Sequence, residues 1–301
     1  MLKNKKEKNQ KLLGLLLATL GMVVYGLFPV YSHAIVSTLD PLIFGGITTF
    51  IGSLLLVGAV QAKGNQKYLF SNNKYLGRLL IIAVLTGIAT LLFFVGTKLT
   101  SGINTSLLSQ VEPMYAVILA SLFLGEAVGL GAMSAIIVIV IGAGGVVFKG
   151  FTAPNIGDIL ILATPIFYQL SHVVSKKIIH ELPDANIIPA ARLFYGGLLL
   201  TIFGIILHPT ALMPFFTLGN ILFVLLFALI FRTLDMFLWY QALVRIPLSI
   251  ASALIPVSLI ISFTGSLVIL KEIPTIQQYL GLFAMLFGLV WISFLHVKSS
   301  Q

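Results

Sequence analysis

Three charged residues lie inside long apolar stretches of the sequence. Glu112 stands beside Pro113 in SLLSQVEPMYAVILASLFLGE, residues 106–126, and Arg232 and Asp235 fall within the apolar segment 220–243. A charge at the centre of a bilayer costs roughly 2.5–3.5 kcal/mol on insertion scales, so such residues usually face a cavity or one another. Arg232 and Asp235 are three residues apart and share a helix face. The three charges predict either a site for a substrate or a proton, or a structural salt bridge.

Glu112 is the stronger candidate for binding a proton. Arg232 can compensate only one of the two acids, and Asp235 lies on the same helix face as Arg232. Burial without a full partner favours the neutral form of a carboxylic acid. Pro113 removes a backbone donor and bends a helix, so a proton taken up on one side can be released on the other as the helix bends. We therefore predict that Glu112 is a proton-coupling residue.

Composition places the chain in a membrane. Of its 301 residues 58% are hydrophobic and 9% are charged, with a mean hydropathy of +1.08, which leaves too little polar surface to cover a soluble globule. The lack of cysteine excludes thiol catalysis and thiolate metal sites, and the five histidines have no ligand spacing. Neither a G-x-x-x-x-G-K-[ST] phosphate loop nor a serine, histidine and acid arrangement stands out. The sequence therefore predicts no enzyme, no cofactor and no metal site.

Apolar segments near the ~20 residues needed to cross a bilayer as a helix recur along the whole length. They predict an all-α integral membrane protein with ten transmembrane helices and no soluble domain. The predicted spans are 12–32, 42–61, 79–98, 103–124, 129–148, 158–175, 187–207, 220–243, 248–270 and 276–296.

Lysine and arginine residues are distributed unevenly between the connections. If the N-terminus is cytoplasmic, thirteen of the eighteen lie in cytoplasmic segments, three lie outside, and Arg192 and Arg232 lie within spans. The positive-inside rule then places both termini in the cytoplasm. The net charge of +9 is thus a signal of topology and does not indicate nucleic-acid binding.

The second half of the chain repeats features of the first. Pro256, in ASALIPVSLIISFTGSLVILKE at 251–272, follows Pro113 by 143 positions and is followed by a similar apolar run, although the acid beside the proline is missing. Two further matches are YGLFPVYS at 25–32 with YQLSHVVS at 168–175, and GSLLL at 52–56 with GGLLL at 196–200. The matches keep the same order, which indicates two homologous halves.

Each half has five spans, and after an odd number of crossings the chain lies on the opposite side of the membrane. The second half must therefore be inverted relative to the first. Inverted repeats of this kind are typical of secondary transporters that alternate access to a site at the membrane midplane. We predict a first five-helix repeat at 1–150 and a second, inverted five-helix repeat at 151–301.

The segments SQVEPMYAVILASLFLGE and WYQALVRIPLSIASALIPVSLIISFTGSLVILKEIPT, with ten spans in two fives and ARLFYGGLLL at 191–200, resemble the EamA-type carriers of the drug/metabolite transporter superfamily. The resemblance covers nearly the whole chain. It implies a carrier with both ends cytoplasmic, a central cavity lined by helices 1, 3, 4, 6, 8 and 9, and export of amino acids or related metabolites. The chain departs from the family pattern in GGITTFIGSLLL, where the family often has an arginine like Arg192, and in the longer interval from Pro256 to Glu272.

Aromatic and small polar residues in these helices offer the flat apolar faces and hydrogen-bonding groups of a small-molecule pocket. Pro113 and Pro256 are predicted hinges, although packing kinks are an equal alternative. Arg192 is expected to reach the cytoplasmic interface, His172 to be an interfacial histidine, and Glu272 to be structural. The predicted substrate-binding residues are Tyr25, Phe94, Glu112, Tyr115, Tyr168, Gln169, Arg232, Asp235, Trp239 and Tyr240.

These features favour a secondary carrier in the cell membrane that exports small amphipathic metabolites and is coupled to protons. Its partners are then a small-molecule substrate, the lipid bilayer and protons. One alternative is an uptake carrier for an organic cation such as a quaternary amine, because carboxylates and aromatic faces attract cations. The other is a channel-like pore or a membrane sensor.

Overall fold

The computed structural model describes residues 2–71, 73–125, 128–148, 154–184, 186–247, 250–251 and 253–299. Within these ranges every regular element is helical, which confirms the predicted all-α fold. Ten helices correspond to the predicted spans, and shorter helical turns lie between some of them. The ten are α1 (Leu2–Val36), α2 (Pro41–Ala62), α3 (Leu76–Leu99), α4 (Gly102–Leu108, Ser109–Val111 and Glu112–Leu124), α5 (Leu130–Val147), α6 (Ile156–Lys176), α7 (Ile187–Leu207), α8 (Leu218–Phe227, Ala228–Leu234 and Asp235–Leu243), α9 (Ile255–Val268) and α10 (Ile276–Ser299).

Nine of the described helices are long and apolar enough to cross a membrane, and α9 is a shorter apolar helix within the ninth predicted span. α1 begins well before the predicted position 12, because the lysine-rich start consists largely of good helix formers and continues the helix. The α9 segment begins at Ile255; residues 250–251 before it are also helical, and positions 248, 249 and 252 of the predicted span lie outside the described residues. Pro256 explains this start, since proline is favoured in the first turn, where its missing N–H needs no partner.

The α4 helix is broken immediately before the Glu-Pro pair. Its first segment is α-helical, Ser109–Val111 forms one 3₁₀ turn, and Glu112 and Pro113 begin the second α-helical segment. Pro256 likewise occupies the second position of α9. The two prolines therefore occupy corresponding places in the two halves, as the repeat predicts, while their role as hinges stays a prediction.

The α2 and α7 helices pack together along their length and are joined by a polar side-chain contact at each end. Asp40, which precedes α2, lies 2.8 Å from His208, which follows α7. Asp184, which precedes α7, lies 3.0 Å from Lys63, which follows α2. Each contact is the counterpart of the other, at the opposite end of the helix pair. At one end the aspartate precedes α2 and at the other it precedes α7. An inverted repeat requires this exchange.

Glycines permit close contacts that also follow the repeat. A methyl group at Gly52 of α2 would lie 2.4 Å from a side-chain atom of α8, and one at Gly196 of α7 would lie 2.8 Å from a carbonyl oxygen of α3. Between α5 and α10, a methyl group at Gly142 would meet the carbonyl oxygen of Gly281 at 3.0 Å, and the reverse contact would be 2.9 Å. Only glycine fits such crossings without displacement of the neighbouring helix.

We call the end of the bundle at which α1 begins and α10 ends the termini end, and the opposite end the far end. At the far end, the Glu272 carboxylate between α9 and α10 accepts hydrogen bonds from the backbone N–H of Gly102 (2.7 Å) and of Ile103 (2.8 Å). These are the first residues of α4, whose N-terminal N–H groups lack helical partners. Deeper in the bundle, the Ser106 and Ser266 hydroxyls lie 2.9 Å apart. The contacts fasten α4 to the second half of the chain.

A second polar contact closes the far end around Asp158 in the first turn of α6. Its Oδ1 accepts hydrogen bonds from the Thr100 hydroxyl and, at 2.8 Å, from Nδ2 of Asn104. The Asn104 side chain in turn accepts a hydrogen bond from Nε2 of Gln278 at 2.7 Å. Because these residues come from the α3–α4 connection, α4, α6 and α10, the network joins both halves where they meet at the far end.

Candidate functional site

Two adjacent cavities lie between the helices, one of about 200 Å³ and one of about 540 Å³. The larger cavity is lined by earlier residues of α1 and later residues of α4 than the smaller one. Since α1 begins and α4 ends at the termini end, the larger cavity lies nearer that end. Both contact α1, α4, α6 and α8; the smaller also contacts α3 and α7, and the larger also contacts α9 and α10. The residues that line both are Tyr25, Gln110, Glu112, His172 and Asp235.

Glu112 lies at the boundary between the cavities and joins three helices. The hydroxyl of Tyr25 on α1 donates a hydrogen bond to Oε2 at 2.8 Å, and Nε2 of Gln169 on α6 donates one to Oε1 at 2.7 Å. The position follows from the break in α4, because Glu112 is the first residue of its second segment. All three side chains were predicted to belong to one site, and the structure brings them into direct contact.

Arg232 and Asp235 line the smaller cavity, but Arg232 makes no ion pair within 4.0 Å with either Glu112 or Asp235 among the described residues. The salt bridge that the charge pattern allowed is therefore not formed. The guanidinium instead lies near the rings of Phe28 and Phe94, 5.0 and 5.5 Å from their centroids. Its Nε and Nη2 are buried without a hydrogen-bond partner in the described part of the chain.

A π-helical segment, Ala228–Leu234, explains why Arg232 and Asp235 do not meet as neighbours on a regular helix would. Such wider turns are rare and frequently occur at functional sites. Arg232 lies within the segment, and the α-helix resumes at Asp235. A methyl group at Gly52 would lie 2.4 Å from the Cβ of Arg232 and 3.3 Å from the carbonyl oxygen of Ala228, so α2 packs closely against this widened turn.

The prediction that Arg192 extends out of the bundle is wrong, whereas the interfacial position of His172 stays a prediction. Arg192 is only 7% exposed, its Nε donates a hydrogen bond to Thr86 Oγ1 at 2.9 Å, and Nη1 lies 3.3 Å from His172 Nε2. The Arg192 guanidinium also lies 5.3 Å from the ring centroid of Tyr168. The Arg192 side chain does not extend to the surface, because Thr86, His172 and Tyr168 bind its guanidinium inside the bundle. Both residues line the smaller cavity.

The position of His172 on the cavities could have been inferred from its spacing to predicted site residues. His172 follows Tyr168 by four positions and Gln169 by three, which places the three on one face of α6. Gln110 was also missed: it lines both cavities, and its Oε1 accepts a hydrogen bond from the Ser258 hydroxyl at 3.0 Å. Gln110 lies in the 3₁₀ turn immediately before Glu112, and residues two apart do not face each other on a regular α-helix.

The remaining predicted residues are divided between the cavities and the packed core. Tyr168 lines the smaller cavity, and Trp239 lines the larger one. Phe94 is fully buried and lines neither, whereas its neighbour Phe93 lines the smaller cavity. Tyr115 packs beside the core and also lines neither. The side chain of Tyr240 lies outside the described residues.

Aromatic side chains separate the smaller cavity from the far end. Phe28 stacks on Phe93 with ring centroids 4.8 Å apart, and Phe227 packs against both Phe44 (4.9 Å) and Phe231 (4.8 Å). Four helices contribute to this cluster. Over the residues the structure describes, no group of three or more His, Cys, Asp or Glu residues is placed to hold a metal ion.

The sequence and fold resemble those of known proteins. Residues 12–148 and 155–294 each match the model of the EamA-like transporter family. An uncharacterized transporter of Methanothermobacter thermautotrophicus is 26% identical over 284 residues, which cover 88% of this chain and 82% of that protein. A crystal structure of a protein 15% identical in sequence covers 96% of this chain and 98% of its own, with a TM-score of 0.62, a likeness of fold alone. With family matches over both five-helix halves, this chain belongs to the EamA-like transporter family.

Proposed function

We propose that the protein is a secondary active transporter that exports small amphipathic metabolites, amino acids or compounds like them, across the cytoplasmic membrane with proton coupling at Glu112. The observation behind this proposal is the position of Glu112 between two cavities, where it is held by one residue each from α1 and α6. Movement of either helix against α4 changes the hydrogen bonds of this one carboxyl group. Helix movement and proton exchange are coupled in this way.

The unequal closure of the two ends supports alternating access. Aromatic packing and the Glu272 and Asp158 contacts close the far end, whereas the larger cavity lies toward the termini end. We propose that both termini are cytoplasmic, on the lysine and arginine distribution. The larger cavity then lies on the side from which an exporter takes up its substrate.

The size and lining of the larger cavity support a small amphipathic substrate. Its volume of about 540 Å³ lies within the range of about 300–1,000 Å³ usual for ligand sites. Trp239 and Met22 offer apolar surface, and Gln169 and Ser293 offer polar groups. A mixture of this kind suits a molecule with one apolar and one polar part.

Glu112→Gln tests proton coupling, because glutamine resembles the protonated acid. A probe compound is first selected by thermal stabilisation of the purified protein against amino acids, polyamines and quaternary amines, since a ligand of the native state raises stability by mass action. In proteoliposomes, we expect Glu112→Gln to retain exchange of the probe at equal concentrations and to lose accumulation driven by a pH gradient. Glu181→Gln, an acid at the termini end paired with Lys74, is the matched control and should retain both activities.

Two outcomes would refute the coupling. One is wild-type transport that does not respond to a pH gradient. The other is accumulation of the probe by Glu112→Gln when it is driven by such a gradient. Flux that neither saturates nor accelerates with unlabelled probe on the opposite side of the membrane would refute the carrier and favour a pore.

An uptake carrier for an organic cation is the second candidate. The larger cavity is lined by Glu112 and Asp235 and, among the described residues, by no lysine or arginine. Trp239 and Tyr25 add aromatic surface, which attracts cations such as quaternary amines. Stabilisation and exchange by quaternary amines, without any response to amino acids, would select this function over the first.

A further inference from the structure

Among the described residues, positively charged side chains line only one of the two cavities, whereas acids line both. Among the described lining residues, Arg192 and Arg232 contact only the smaller cavity. Glu112 and Asp235 lie at the boundary and provide the acids of the larger cavity. A substrate that occupies both cavities therefore meets guanidinium groups at its deeper end and carboxylates at its other end.

The two arginines differ in their hydrogen bonds. Arg192 is held by Thr86 and His172, whereas Nε and Nη2 of Arg232 have no partner in the described chain. Buried donors without acceptors are unfavourable, so Arg232 is the group whose hydrogen bonds an occupant would complete. Phe28 lies 5.0 Å from this guanidinium and lines the same cavity. An occupant of this cavity therefore meets the Phe28 ring beside the guanidinium.

The π-helical segment keeps Arg232 available for a ligand. On a regular α-helix, residues three apart are neighbours and opposite charges attract. Arg232 lies within Ala228–Leu234 and does not pair with Asp235, which follows the segment. A planar guanidinium with unused donors matches the two oxygens of a carboxylate or the oxygens of a phosphate.

We propose that the smaller cavity is a carboxylate-binding subsite in which Arg232 holds the carboxylate of the transported molecule. This assignment rests on the proposed carrier function and specifies the substrate as an organic carboxylate. Charge favours a carboxylate over a phosphate. The smaller cavity is lined by two arginines and two acids, so a monoanion adds one negative charge near Glu112 and Asp235, while a phosphate dianion adds two.

Binding of matched aromatic probes tests the subsite directly. Thermal stabilisation of the purified, full-length protein is measured with benzoate, benzamide, benzylamine and phenyl phosphate in concentration series. We expect the wild type to bind benzoate about tenfold or more tightly than benzamide, the ratio expected from one hydrogen bond between charged groups. Arg232→Gln should abolish this preference, and Arg232→Lys, which keeps the charge without the planar fork, should retain part of it.

Arg245→Gln is the matched control. Arg245 Nη1 donates a hydrogen bond to the carbonyl oxygen of Gln241 at 2.6 Å, and Arg245 lines neither cavity, so this variant should keep the wild-type preference. Because the preference is a ratio within one variant, a general loss of stability does not imitate the result. Should Arg232→Gln fail to fold, Arg232→Lys alone decides: an undiminished preference refutes the proposal.

Three results would overturn the subsite. They are equal binding of benzoate and benzamide by the wild type, tighter binding of phenyl phosphate than of benzoate, and an unchanged benzoate preference in Arg232→Gln. Its failure is distinct from failure of the proposed function. Exchange of benzylamine without exchange of any carboxylate would leave a carrier but remove the subsite, whereas Arg232-dependent benzoate binding without exchange would leave the subsite but remove the carrier.

Discussion

Replacement of Glu272 by glutamine is expected to weaken closure of the far end. The Glu272 carboxylate accepts two hydrogen bonds from the first residues of α4, Gly102 and Ile103, at 2.7 and 2.8 Å. Glutamine has nearly the same shape, but its amide has only one acceptor oxygen. One backbone N–H of α4 then loses its partner, and the negative charge at the N-terminus of α4 is removed.

The magnitude follows from the geometry. A hydrogen bond to a charged group contributes about 1.5–3 kcal/mol, and a charge at a helix terminus adds about 0.3–1 kcal/mol. The Glu272 side chain is 22% exposed, so solvent screening favours the lower end of this range. A loss of about 1.5 kcal/mol would increase the population open at the far end by about tenfold.

Cysteine labelling measures this population, because the chain contains no cysteine. Ser262 is buried in α9 and its hydroxyl has no partner among the described residues, so Ser262→Cys removes no side-chain hydrogen bond. In that background, Glu272→Gln should raise the rate of labelling from the far-end side of the membrane by about tenfold, the factor that 1.5 kcal/mol represents. Glu181→Gln, which alters the termini end, should leave the rate unchanged. A rate in Glu272→Gln within twofold of its background would refute the reasoning.

Two further predictions concern topology and packing. Single cysteines at Asn65 and Thr210 should react only from the cytoplasmic and only from the external side, respectively, and labelling of both from the same side would overturn the inverted repeat. Gly46→Ala should lower the free energy of unfolding by about 1–3 kcal/mol through overpacking, because the new methyl group would lie 2.5 Å from the backbone nitrogen of Thr201. Gly144→Ala, where a methyl group meets nothing within 4 Å, is its control in the same denaturation measurement, and equal stability of the two variants would contradict the packing argument.

The fold was predictable because its determinants are local or repeated. Hydropathy marks each span over about twenty residues, and the spacing of Pro113 and Pro256 is visible as a repeat. The restart of the helix at Ile255 was not predicted, because an apolar sequence does not show where a helix restarts. The polar contacts between the ends of α2 and α7, such as the ion pair of Lys63 with Asp184, depend on the packing of distant segments, and nothing in the local sequence indicates them.

The site was predictable only in part. Glu112, Arg232 and Asp235 are conspicuous because charges are rare in apolar spans, but the sequence does not show that Tyr25 and Gln169 hold Glu112. Whether a side chain faces a cavity depends on helix rotation, and adjacent residues point about 100° apart on an α-helix. Charge and polarity alone therefore could not locate Arg192, and aromatic character could not distinguish Phe93 from Phe94.

The two halves of the inverted repeat share one chain, and this allows them to differ. The α2–α7 and α5–α10 contacts join each helix to its own counterpart, which is the geometry of an isologous interface in an antiparallel homodimer. In such a dimer every feature of the site would occur twice, with an acid beside each of the two prolines. Here Glu112 precedes Pro113, while Ile255 precedes Pro256. Covalent fusion releases the site from that symmetry, so the first half places a carboxyl group beside its proline where the second half places an apolar side chain.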